Sequence, residues 1–188
     1  MASLGRTLEQ FAARTETLSG LDGVADTLAR ETDSAIRAAG LKDLLSGTWL
    51  GHPFHPLATD AVIGAWTMAA VLDFSGASER GADRLVGLGI VASLPTAAAG
   101  LSDWSDMTSG GTRRMGLVHA AGNVVALSLN VASYVARKSG NRTRGRRLTA
   151  ASALPLAISG FLGAHMSFAR GVGVREGRAA AAARPDRT

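Results

Sequence analysis

The chain has four histidines and no cysteine, and each histidine stands at the edge of a long apolar run. The stretch "GHPFHPLATD", residues 51–60, sets His52 and His55 three apart, each followed by a proline, with Asp60 about one helical turn further on. His119 lies in "GLVHAAGN" and His165 in "GAHMSF". Without a thiol the chain can hold no iron-sulfur cluster, disulfide or thiolate zinc site. Imidazoles alone suit zinc, copper, iron or nickel, or the axial positions of a haem iron. A residue before proline is pushed towards extended backbone, so His52 and His55 are expected in a non-helical approach, with Pro56 at the first helical position. The positive end of the helix dipole there disfavours a protonated imidazole at His55, and the neutral ring is the metal-binding form.

The elements that must position these residues follow from where charge is missing. Lys and Arg are absent between Lys42 and Arg80, from Leu85 to Thr112, from Met115 to Ala136 and from Leu148 to Ala169. Each window holds an apolar stretch of about 18 to 25 residues, long enough to cross a hydrocarbon core as a helix. Spans are expected at Pro56–Phe74, Leu85–Trp104, Met115–Ala136 and Leu148–Ala169. Their Ala and Gly content suits membrane helices that associate by close backbone approach. A soluble four-helix bundle would need a charged outer face on every helix, and none of the four windows has one.

The remaining segments divide differently. Residues 1–48 carry 5 basic and 7 acidic side chains, with Leu4, Phe11, Leu18, Leu21, Val24, Leu28, Ile36, Leu41 and Leu44 at roughly helical spacing. An amphipathic helical arm is expected there, broken near "TLSGLDG" and packed on itself, on the membrane surface or on a partner. Residues 49–175 form the membrane domain, and the Ala- and Arg-rich tail 176–188 is expected to be disordered. The sequence pI of about 10.9 reflects basic residues at the ends of the spans, which points to anionic lipid headgroups and not to nucleic acid.

With four spans, all four histidines fall in one leaflet, and Asp60, Asp103 and Trp104 lie at that same face. An internal repeat adds to this. "LPTAAAG" at 94–100 matches "LPLAISG" at 154–160, while His55 and His119 each lie 21 residues before a glycine, Gly76 and Gly140. His55 therefore aligns with His119, Asp73 comes close to Arg137, and the chain reads as two repeated hairpins. No Walker loop, dinucleotide fingerprint or hydrolase elbow is present, and "NRT" at 141–143 is an incidental sequon.

The segments "GHPFHPLATDAVIGAWTMAAVLDF", "ADRLVGLGIVASLPTAAAGLSDW", "GLVHAAGNVVAL" and "GFLGAHMSFARGVGV" resemble the bacterial integral-membrane family catalogued as domain of unknown function 2231, over about residues 48–175. The resemblance implies a four-helix protein of the bacterial cytoplasmic membrane. Some members continue into, or occur beside, a Rieske-type ferredoxin domain. For a chain without cysteine, that implies a separate redox partner.

Two functional expectations result. In the first, His55, His119 and His165, supported by His52, hold haem b. Alternatively, His52, His55, Asp60, His119 and His165 hold a transition-metal ion, with Asp103 and Trp104 in support, and either version makes the chain an electron-transfer subunit. In the second, the protein is a non-enzymatic scaffold or small-ion permeation protein, alone or as a homo-oligomer, whose histidines are structural. The count of Lys and Arg is tied between the two faces, so orientation rests on the polar N-terminus, which favours both termini in the cytoplasm.

Overall fold

The computed structural model describes residues 2–172, and the expectation for the tail 176–188 lies outside them. The arm forms α1 (Ala2–Glu16), a short 3₁₀ turn (Ser19–Leu21), α2 (Asp22–Ala38) and α3 (Lys42–Ser46). Four long helices follow: α4 (Phe54–Ser75), α5 (Glu79–Ser105), α6 (Gly110–Lys138) and α7 (Arg142–Ala164), the last continued by a π-helical turn, His165–Ala169. The described residues contain no strand.

All four long helices are long and apolar enough to cross a membrane. Their surfaces are arranged for lipid. Leu88, Val91, Leu94, Val124, Val135 and Leu154 face outward, while Ser102, Asn130, Ser133, Ser152 and Ser159 are fully buried. Water-soluble proteins bury the opposite set, whereas a bilayer requires polar groups to find partners inside the bundle. The chain is therefore a multi-pass membrane protein.

The helix ends are set locally. Ser78, Ser109 and Asn141 each accept a hydrogen bond at their side-chain oxygen from the backbone N–H three residues on, capping α5, α6 and α7. Gly76 after α4 and Gly140 after α6 adopt φ of 70° and 82°, the left-handed turn that frees the chain to reverse. These are the glycines that align the two halves of the sequence.

α4 packs chiefly on α5 and α6 on α7, giving two antiparallel hairpins, and contacts of α5 with α6 and α4 with α7 close the bundle. The arm folds back over the α5–α6 turn. Ala12, Ala25 and Ala29 are buried against Trp104, Met107, Met115, Leu162 and Met166. Salt bridges from Arg113 to Asp26, Arg114 to Asp22, Lys42 to Asp106 and Arg170 to Glu16 surround that contact. The small residues of the arm make the dock, since alanine permits close helix approach. The larger Leu4, Leu18, Val24, Leu28, Leu41 and Leu44 stay exposed.

Two expectations need correction. α4 begins at Phe54, so His55 is already helical and only His52 lies in the non-helical approach. Pro56 is tolerated inside the first turn because the N–H groups there have no intrahelical acceptor to lose. The Leu-Pro segments also do not occupy equivalent places. Leu94 and Leu154 both face outward, 65% and 69% exposed, and the residues of α5 and α7 that do correspond lie three positions further along in the second half.

Candidate functional site

His55 and His119 meet across the bundle. They stand on α4 and α6, the two diagonal helices, with ring centroids 6.3 Å apart and planes at 83°. Each ring is held in the same way by the other helix of its own hairpin. His55 Nδ1 lies 2.8 Å from the carbonyl oxygen of Thr96, and His119 Nδ1 lies 2.8 Å from that of Ser159. A carbonyl only accepts, so Nδ1 carries the proton in both rings, and in the neutral form Nε2 keeps its lone pair. This is how histidines are oriented when Nε2 is to serve as a ligand.

Four residues beyond each carbonyl is a glycine that the ring packs against. A Cβ on Gly100 would lie 2.7 Å from His55 Cε1, and one on Gly163 would lie 2.9 Å from His119 Cε1. Thr96 and Gly100 thus correspond to Ser159 and Gly163, 63 positions apart, whereas the Leu-Pro match pairs positions 60 apart. The two rings sit in equivalent cradles about a pseudo-two-fold axis that runs along the bundle.

The halves differ in the side chains around the rings. Asn123 Nδ2 lies 3.0 Å from His119 Nε2 and donates to its lone pair, and Ser159 Oγ donates to the His119 carbonyl oxygen at 2.8 Å. Thr59, the counterpart of Asn123, donates instead to the His55 carbonyl oxygen at 2.8 Å.

The other sequence-derived candidates lie elsewhere. His52 and Asp60 are exposed. His165 sits in the π-helical turn with its ring centroid 6.0 Å from that of Phe161. Asp103 is half-buried near the end of α5. Trp104 anchors the α5–α6 turn, donating from Nε1 to the Arg113 carbonyl oxygen at 2.9 Å. Among the described residues no three of His, Asp and Glu converge as a metal-ligand group.

Below the pair, α6 presents a buried polar face. His119, Asn123, Asn130, Ser133 and Arg137 recur at spacings of three, four or seven, which puts them on one side of a helix. Asn130 donates to Ser152 Oγ at 2.9 Å and to the Ala126 carbonyl oxygen at 3.0 Å, while its Oδ1 is buried with no partner among the described residues. Ser133 donates to the Gly145 carbonyl oxygen at 2.7 Å and shares a hydrogen bond with Thr149. At the far end Arg137 pairs with Asp73, its counterpart in the other half, and with Asp83 at 3.0 Å. Eighteen helical residues separate each histidine from its far-end partner, about 27 Å at 1.5 Å per residue. Both ends of the axis are thus closed by repeat-related residues from α4 and α6. The polar periodicity of α6 was the sequence signal for these residues.

The family model for predicted membrane proteins of the type domain of unknown function 2231 matches residues 51–176. The chain belongs to that family. No curated protein and no solved structure matches it.

Proposed function

We propose that this member of the membrane family is a redox subunit in which His55 and His119 hold a metal centre and exchange single electrons with a separate ferredoxin-type partner. The observation that supports this reading is the matched cradle, in which both rings have Nδ1 fixed on a carbonyl, are seated on a glycine and lie 6.3 Å apart. Two imidazoles on opposite sides of one ion would have similar spacing, since about 2 Å from metal to nitrogen and about 1 Å from nitrogen to ring centre, on each side, give roughly 6 Å. A single transition ion fits better than haem b, because Gly100 and Gly163 bring the α5 and α7 backbones against the rings where a macrocycle would need room. Copper leads the divalent series for nitrogen sites. When bound, the centre would supply a one-electron couple. The chain's own residues orient the two rings through the Thr96 and Ser159 carbonyls and set the dielectric around the pair.

Absorption spectroscopy of the purified protein, alone and titrated with copper or haemin, tests this. The expected result is one ion per chain, with haem b showing itself by a Soret band. A protein that binds neither, with melting unaltered when both histidines are changed to alanine, would sink the proposal. One observation favours a second reading, a scaffold in which the pair is structural: Asn123 already occupies His119 Nε2. On that reading Asn123→Ala leaves metal binding absent, whereas the redox reading expects it to strengthen binding.

A further inference from the structure

The bundle end opposite the histidines is strongly basic. In its two turns, residues 73–84 and 137–147, eight basic side chains face three acidic ones. All three acids are engaged by Arg137 and Arg142: Asp73 and Asp83 pair with both, and Glu79 with Arg142. The side chains of Arg146 and Arg147 make no ion pair or hydrogen bond with any described residue.

These two arginines line a groove of about 260 Å³ between α4 and α7, whose walls include Ala70, Phe74 and Ala150. The groove spans a boundary in depth. Arg147 is the last charged residue before Leu148–Ala169, a run without Lys, Arg, Asp or Glu, and Phe74 beside it is 78% exposed. The guanidinium groups therefore stand at headgroup level, and the apolar wall descends into hydrocarbon. Asp73 also lines the groove. Its charge is compensated by Arg137 and Arg142, so among the described residues the field there is set by Arg146 and Arg147.

The geometry points to a binding site for one anionic phospholipid, with its phosphodiester between Arg146 and Arg147 and an acyl chain along Ala70, Phe74 and Ala150. Basic pockets between membrane helices take such headgroups. A free phosphate would satisfy the cations but leave the apolar slot unused, which is why the lipid is the better occupant. Each basic residue at the membrane surface contributes about 1 kcal/mol towards an anionic lipid. At 1.4 kcal/mol per tenfold, loss of both arginines weakens binding about 25-fold.

The test is native mass spectrometry of the full chain titrated with phosphatidylglycerol or phosphatidylcholine, at constant ionic strength. The expected result is one phosphatidylglycerol retained and no phosphatidylcholine. R146Q/R147Q should weaken retention about 25-fold, and A150F, which fills the slot without changing charge, should abolish it. R144Q, an exposed arginine outside the groove lining, should bind as wild type. Should A150F fail to fold, A70F fills the slot from α4. Unchanged retention in R146Q/R147Q overturns the proposal. So does wild-type retention in a folded slot-filling variant, which would mean adsorption on a basic surface. Displacement by millimolar inorganic phosphate also overturns it, because the site would then recognise the free anion.

Discussion

Replacing Asp73 with alanine tests the far end of the axis. The Arg137 side chain is 0% exposed and that of Asp73 5%, so the pair lies out of water. Removing one partner of such a pair costs about 3–5 kcal/mol, because the other charge is left buried. The expected loss here is at the lower end, about 3 kcal/mol. Asp83 stays 3.0 Å from Arg137 Nη1, and Ser133 Oγ accepts from Nε at 3.0 Å. Changing both residues to apolar ones, D73L/R137M, removes the uncompensated charge, so the double variant should be more stable than the sum of its single changes by about 2 kcal/mol. Reversible unfolding in mixed micelles, followed by circular dichroism, gives all four corners of the cycle. A D73A protein within about 0.5 kcal/mol of wild type, or strict additivity of D73L and R137M, would refute the reasoning and place both side chains in water. Metal binding should survive D73A, since the two ends lie about 27 Å apart along the helices.

Other consequences are as direct. Gly163→Ala should displace the His119 ring, because the new Cβ falls 2.9 Å from Cε1; a destabilisation of about 1–3 kcal/mol is expected, read as a lower melting temperature and a changed imidazole NMR signal. The Asp33 carboxyl, outside the spans, is held below the usual carboxylate range chiefly by its hydrogen bond from Arg37. A carboxyl with a depressed folded pKa contributes stability above its unfolded pKa and loses it as pH falls through the folded value. The α2–α3 segment should therefore become more accessible to protease on acidification below the ordinary carboxylate range, and D33N should flatten that part of the profile.

Much of the architecture was legible because charge is forbidden inside a bilayer. The gaps in Lys and Arg located all four helices, with the main excess at the polar starts of α5, α6 and α7, which begin five or six residues before the apolar windows. The correspondence of His55 with His119, and of Asp73 with Arg137, was legible because diagonal residues in a two-fold bundle meet at the axis. What the sequence hid was rotation. The α7 span has no charged face, so nothing in its periodicity told that His165 turns towards Phe161, whereas the polar side of α6 does mark His119 as turning inward. Sharing a leaflet is a statement about depth, and only facing residues can share a ligand. The Leu-Pro match misled for the same reason, because two outward-facing leucines resemble each other through a common lipid environment. In the arm, the leucine spacing marked helices correctly, but the dock is made by Ala12, Ala25 and Ala29.

The most direct test of the central claim is the metal content of the purified wild-type protein and its four single His→Ala variants after copper loading, measured by mass spectrometry. The account predicts one ion per chain in the wild type, near zero in H55A and H119A, and wild-type loading in H52A and H165A. Equal loading in all five proteins, or loss in H165A with retention in H55A, would contradict it.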